Sequence, residues 1–411
     1  MTSSSRPTDP FEEYRLSRTP PTRRTGILEW ILILLLGLAN AGVWIVAGPR
    51  LAAREGSVSG VKARGVMPDG VLTVVQLDVG QGDGTFIHTP GGKNILIDAG
   101  EGEHPENQYS RQYPATKEVV IPFLALHGIV DLDLVILTHP DSDHGGGMPD
   151  LFEWVLSNGG HVRRFVDPGI TKAARFYQDI LEAIEKLDIP YYAVLDPSTE
   201  KPVEYPKGVF EGFPGGTLIG NEIVHDPTIA FQILGPLGLI NEGDAANDHS
   251  IVTRIQCGDI SFLSAGDAEA AEEEMLVRFW GKRLHSTVHF PPHHGSKTSH
   301  HPFWIRMVNP EIISTSSHPP VFGHPAPETL AAYKKFCKPP PRLYLRTDLN
   351  GDIWYRTDGK KLAIRTQFKY QGEEKQWEPG KRGEWKLYRR FEANAPTIWE
   401  DCHPVPGTDE L

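Results

Sequence analysis

Four potential metal ligands, His139, Asp141, Asp143 and His144, stand within six residues of one another. They lie directly behind the apolar run Leu132 to Thr138 and directly ahead of three consecutive glycines, Gly145, Gly146 and Gly147. A buried strand that ends in a loop turns alternate side chains toward one point, and glycines let backbone pass close beside them. A single His or Asp here would be an ordinary polar loop residue, whereas four at this spacing behind a buried strand predict a metal centre. The chain must therefore fold so that more distant ligands reach the end of this strand.

The rest of the sequence supplies the elements for such a fold. Val71 to Asp78 and Thr85 to His88 read as strands around the glycine-rich turn VGQGDG, and Thr89 to Lys93 reads as a hairpin connection into a third strand, Asn94 to Asp98. Lys117 to His127, Met148 to Ser157 and Lys172 to Leu187 have helical spacing, and Asp196 to Pro227 reads as an irregular, proline- and glycine-rich excursion. Ile229 to Leu234, Ile251 to Gln256 and Ile260 to Ser264 form a second meander. Helices are expected at Ala268 to Trp280 and Pro325 to Phe336, a strand at Ser286 to Phe290, and strand pairs around Asn350-Gly351 and Asp358-Gly359. Two meanders followed by alternating helices and strands give an α/β (α+β) domain.

The stretch from His139 to His144 resembles the HxHxDH signature of the metallo-β-lactamase superfamily, with Asp141 where the second histidine usually stands. That departure is similar to the soluble domain of ComEC-type competence proteins and their stand-alone relatives. Leu77 to Asp83, Leu96 to Gly100, Leu263 to Asp267, His293-His294-Gly295-Ser296 and Phe322-Gly323-His324-Pro325 occur in the order that branch shows, so the resemblance covers residues 71 to 366. The sequence carries no polytopic channel segments, so DNA uptake is not carried over.

The resemblance implies a four-layer αββα metallo-β-lactamase sandwich holding two divalent metal ions. His139 and Asp141 would sit on one ion, Asp143 and His144 on the other, and Asp267 between them. Asn247 or His249 would complete the first site, and His293 or His294 the second. Asp141 adds a hard anionic donor, so manganese or magnesium joins zinc among the candidate metals. A metal pair that activates water suits hydrolysis of a phosphodiester or of an acyl or amide bond. Asp143 and His324 are the candidate catalytic residues, His324 as proton donor or substrate contact. Asp78, Asp83 and Asp98 would support the ligands, and Ser296 and Lys297 would meet an anionic substrate.

Charge and the amino terminus set the context. The net charge of −12 divides into +4 for residues 1–64 and −16 for the remainder, which argues against nucleic-acid binding through a broad basic face. Cys257, Cys337 and Cys402 have no paired spacing and read as core thiols. Residues 1–26 form a disordered leader and 27–48 (ILEWILILLLGLANAGVWIVAG) are long enough for a transmembrane helix, with Trp30 and Trp44 spaced like interfacial aromatics. A linker follows at 49–70, and 367–411 is a C-terminal extension. Flanking arginines nearly balance, and the long domain after a first span favours a single-pass protein with its hydrolase domain outside the cytoplasm. The expected activity is a phosphodiesterase or nuclease acting on a phosphodiester or nucleic-acid substrate. The alternatives are a lactone, lactam or thioester hydrolase on the same centre, or a membrane-anchored, catalytically silent binding module.

Overall fold

The computed structural model describes residues 67–103, 114–210, 213–240, 246–318 and 322–367, together with the strand His403–Pro404. β1 (Leu72–Gln76), β2 (Thr85–His88) and β3 (Asn94–Ile97) form an antiparallel meander. Its second turn closes through the Thr89 N–H, which donates to the Lys93 carbonyl at 2.9 Å. The helix expected after it divides into a π-helical turn at Thr116–Val120 and α1 (Ile121–Leu126). β4 (Leu134–Ile136) then pairs in parallel with β3. A four-residue helix α2 (Ser142–Gly145), α3 (Met148–Ser157), β5 (Phe165–Asp167), α4 (Arg175–Lys186) and β6 (Tyr191–Ala193) complete the first half.

The irregular excursion holds two small ribbons, β7 (Leu195–Asp196) with β8 (Lys201–Pro202) and β9 (Glu204–Tyr205) with β10 (Gly216–Thr217). The second meander follows as β11 (Ala230–Gly235), β12 (Val252–Cys257) and β13 (Ile260–Ser264). Next come α5 (Ala270–Trp280), β14 (Val288–Phe290), α6 (Pro302–Val308), β15 (Ile312–Thr315), α7 (Pro327–Phe336) and β16 (Leu343–Arg346). After the short helix α8 (Thr347–Asn350), β17 (Ile353–Thr357) and β18 (Leu362–Thr366) make the hairpin expected at Asp358-Gly359. The pair expected at Asn350-Gly351 is not formed. β16 pairs with β15 and β17 with β1, so the chain crosses from one sheet to the other there. Asn350 turns inward instead, its side-chain oxygen accepting the Arg346 N–H at 3.0 Å.

β11 to β16 make a six-stranded sheet in chain order, and the larger sheet runs β18-β17-β1-β2-β3-β4-β5-β6, with β19 (His403–Pro404) beside β18. Strand periodicity sends alternate residues to opposite faces. Leu72, Val74, Ile87, Ile95 and Ile136 of the larger sheet meet Ile255, Phe262, Val288, Ile312 and Leu345 of the smaller one in a shared core. Val75, Phe86, Leu96 and Val135 face the opposite way, onto Phe123 of α1, Leu151 and Phe152 of α3 and Ile180 of α4. On the far side Val252, Leu263 and Ile313 pack against Leu276, Trp304, Ile305 and Tyr333 of α5, α6 and α7. Helices, sheet, sheet and helices thus succeed one another, and strands apolar on both faces are what such a sandwich requires. Each fully buried Leu, Val or Phe contributes roughly 1.5–3 kcal/mol to this packing.

Cys257 and Cys337 are buried free thiols, and Cys402 lies outside the described residues. Among the described residues no helix is long and apolar enough to cross a membrane. The leader, the apolar run 27–48 and nearly all of the linker lie outside the described residues, as does most of 367–411.

Candidate metal centre

The loops that leave the C-terminal ends of β1, β3, β4, β13 and β14 bring the site together. At the end of β3, Asp98 takes a left-handed backbone at φ 57°, and its N–H donates to the Ile136 carbonyl of β4 at 2.8 Å. Its carboxylate accepts the Thr138 N–H at 2.8 Å and the Thr138 hydroxyl at 2.7 Å, and lies 2.8 Å from His144 Nδ1. A proton on Nδ1 shared with Asp98 leaves His144 Nε2 with its lone pair toward Asp267, whose Oδ1 is 3.3 Å away. The loop after β1 can press against this segment because Gly82, at φ 124°, has no side chain. A Cβ there would lie 2.0 Å from the Asp143 carbonyl oxygen.

Asp267, on the loop after β13, lies at the centre of the cluster. His139 Nε2 is 3.8 Å from its Oδ2, and His294 Nε2 is 3.5 Å from its Oδ1 and 3.6 Å from Asp143 Oδ2. His293 and His294 both hold left-handed backbone, φ 52° and 53°, a strained choice for histidine that lets adjacent rings serve different partners. His293 turns Nδ1 to Glu269 Oε1 at 3.1 Å and Nε2 to Asp267 Oδ2 at 3.8 Å. The His293 N–H donates to the Gly266 carbonyl at 2.9 Å and ties the two loops together.

These residues fit a bound cation. His139, His144 and Asp267 offer ligand atoms within 4.8 Å of one another, as do Asp143, His144 and His294, and Asp83, Asp267 and His294. The Nε2 atoms of His139, His144 and His294 and Oδ1 of Asp267 are buried without a hydrogen-bond partner. Leaving such an atom unsatisfied costs about 1–3 kcal/mol, so four converging together point to a ligand they share. Burial, with His144 nearby, pulls His139 down to about 3. Burial opposes charge on His144 and His294 too, but Asp267 with Asp98 drives the first well up, and Asp267 with Asp143 raises the second to about 9. Despite its own burial Asp267 is held well below the usual carboxylate range by His294 and His144, while burial lifts Asp83 to about 6. Carboxylates and imidazoles crowded together out of water draw protons onto His144 and His294, and a bound cation would take the place of those protons.

The other anticipated residues fall at varied distances. Asp141 Oδ2 is 4.0 Å from His139 Nε2, and its Oδ1 is held by the Lys172 ammonium. Asp83 Oδ1 lies 3.6 Å from His294 Nδ1. Asn247 is buried and hydrogen-bonds Glu269. His249 is not brought into the cluster, because its Nε2 accepts the Ile240 N–H at 2.8 Å. Asp78 is tied to Asp352. Its N–H donates to Asp352 Oδ1 at 2.9 Å, and burial together with Asp352 and Asp348 raises its carboxyl well above the usual range. Ser296 Oγ contacts Thr298 Oγ1 at 3.0 Å, which in turn lies 3.2 Å from His293 Nδ1, and Lys297 is exposed. His324 stands edge-on to His293, ring centres 5.5 Å apart, and nearly parallel to His294 at 6.4 Å.

Three participants escaped sequence reasoning. Lys172 and Glu269 carry no motif, and only the folded loops bring them here. Glu101 follows directly on the Leu96 to Gly100 segment, and that adjacency was the available signal. It is 2% exposed, accepts the Ser142 hydroxyl at 3.0 Å at the start of α2, and is raised to about 7 by burial and by Asp143.

With this fold and this cluster in place, the chain belongs to the metallo-β-lactamase superfamily, a family of metal-dependent hydrolases whose profile matches residues 77–318. Its similar relatives include ComE operon protein 3 of Bacillus subtilis, 27% identical over 290 residues, covering 69% of this chain and 33% of that protein. Recombination protein 2 of Haemophilus influenzae is 30% identical over 241 residues, 59% of this chain and 24% of that protein. Competence protein ComA of Neisseria gonorrhoeae is 25% identical over 352 residues, 84% of this chain and 40% of that protein. These are ComEC-type competence proteins, and the chain spans no more than 40% of the length of any of the three.

Proposed function

We propose that the chain is a phosphodiesterase acting on nucleic acid through two divalent metal ions. The observation that carries this reading is the convergence of His139, His144, Asp143, Asp267 and His294 on one point, a centre suited to a metal pair that clamps a phosphoryl group, with the Lys172 ammonium on Asp141 at its rim. The similarity to a relative named Recombination protein 2 speaks for the same substrate class. His139, Asp141 and Asp267 would hold one ion, and Asp143, His144 and His294 the other, with Asp267 shared. Bound there, the ions supply Lewis-acid activation of water and charge neutralisation at a phosphoryl group. The protein does the positioning. Asp98 sets the His144 ring, Glu269 sets His293, and Glu101 fixes the start of the helix carrying Asp143. His324, with its buried Nδ1 unpartnered, is the candidate substrate contact or proton donor.

The test is metal analysis of the purified full chain, with hydrolysis assays on bis(p-nitrophenyl) phosphate, single-stranded DNA and a simple lactone. Turnover of both phosphodiesters, lost in Asp143→Ala, is the expected result. Turnover of the lactone alone overturns the phosphodiester reading, and a metal-free, inert protein overturns the enzyme reading. We also propose that residues 27–48 anchor the chain with the hydrolase domain outside the cytoplasm. A domain left uncut by protease added to intact cells rejects that orientation.

A further inference from the structure

We propose that Phe322 is a specificity-determining residue, an aromatic platform selecting substrates that present an unpaired base beside the scissile phosphate. This rests on the phosphodiester reading and deepens it. Phe322 is 66% exposed, unusual for so apolar a side chain, yet it does not project at random. Its ring centre is 6.0 Å from that of His324 with planes 30° apart, and His324 lies 6.4 Å from His294 with planes 19° apart. His324 is thus flanked by His294, a candidate metal ligand, and by Phe322, whose ring is the one open to solvent. Separations of this size are normal for offset aromatic pairs, so a further ring can join Phe322 on its open side.

The platform stands on a fixed base. The Ala326 N–H and the Thr329 hydroxyl both donate to the Gly295 carbonyl, at 2.9 and 2.8 Å, binding the segment after Phe322 to the loop that bears His294. Gly295, at φ 81°, leaves a space that Pro325 fills, for a Cβ there would lie 2.6 Å from Pro325 Cβ. The platform is thus held in register with the metal centre. Nucleobases are the chemistry that fits, since each has a π-face and stacking tolerates any sequence. In a body as acidic as this one, stacking also offsets the scarcity of phosphate-binding cations.

The test is fluorescence anisotropy with the full chain and its metal chelated, comparing a labelled oligodeoxythymidylate with an abasic oligonucleotide of equal length and charge. The wild type is expected to bind the base-bearing strand about tenfold more tightly. Phe322→Ala should bring that affinity down to the abasic value, and Phe322→Trp should restore it. Phe279→Ala, at an equally exposed ring on the far end of α5, should change neither. Equal wild-type affinities, absence of binding to either strand, or a Phe322→Ala loss shared by both strands overturns the inference. Turnover of bis(p-nitrophenyl) phosphate judges the phosphodiester reading separately. Turnover without base preference leaves that reading standing and removes Phe322, while base preference without turnover overturns the selection of a scissile phosphate and leaves only a nucleobase-binding ring.

Discussion

Asp98 Oδ2 lies 2.8 Å from His144 Nδ1, and neither side chain has any solvent exposure. The carboxylate also accepts both polar groups of Thr138, so it aligns the start of the ligand loop and one of its imidazoles together. Asp98→Asn keeps an acceptor for the Thr138 N–H but removes the charge opposite His144. Metal affinity should fall about ten- to a hundredfold, as measured by competition with a chelating dye. Unchanged affinity would show that Asp98 serves folding alone.

Asp143 and His249 should behave in opposite ways. Asp143→Ala removes an oxygen 3.6 Å from His294 Nε2, and is expected to reduce bound metal from two ions to one and to abolish hydrolysis. His249→Ala should leave metal stoichiometry intact and lower stability by about 1 kcal/mol, because its Nε2 is committed to the Ile240 N–H. Elemental analysis and urea melts on both variants decide this.

Lys172 tests the substrate class. Lys172→Met, which keeps length and loses charge, should raise KM for a single-stranded oligonucleotide about fivefold with little change in kcat. The slope of log KM against log salt should flatten by about 0.7, the value for one lost phosphate contact. A fall in kcat at constant KM would show that Lys172 acts only through the Asp141 it holds, without meeting substrate.

Metal should stabilise the fold, since the ligands converge only when folded. Manganese or zinc at a hundred times its dissociation constant is worth about 2.7 kcal/mol, read as a rise in Tm that excess chelator reverses. A Tm indifferent to metal and chelator would contradict the proposed centre.

The Asp78 and Asp352 carboxyls predict a pH dependence of stability. Burial lifts Asp352 to about 6. With its folded pKa above its unfolded value, the native state binds the proton more tightly, so stability declines as pH rises from about 4 to above 6. Asp352→Asn can still accept the Asp78 N–H and escapes that decline. It should be more stable than the wild type by about 2–3 kcal/mol at pH 7.5, with little difference at pH 4. Urea melts at both values measure this, and a stability difference that does not vary with pH would refute it.

Much of this molecule is legible in one dimension. The crowding of His139, Asp141, Asp143 and His144 behind a buried strand is local, and so are the period-two runs of both meanders and the turns at Thr89 to Lys93 and Asp358-Gly359. Local sterics and hydrogen bonding are enough to specify them. The strand pair expected at Asn350-Gly351 failed because nothing local says that Leu343–Arg346 and Ile353–Thr357 have stronger partners in different sheets. That His249 Nε2 accepts the Ile240 amide and that the Asp78 N–H meets Asp352 are likewise set by folding and carry no local signal.

What the sequence alone determined is the ligand loop, the strands that lead to it and the family they resemble. Tertiary structure alone decided that His294 is the ring facing Asp143, that Lys172 reaches Asp141 and that the exposed Phe322 ring lies beside His324. Each of those depends on loops from separate strands meeting at one edge of the sandwich, and backbone crossing angles and close packing, not residue order, fix where such loops meet.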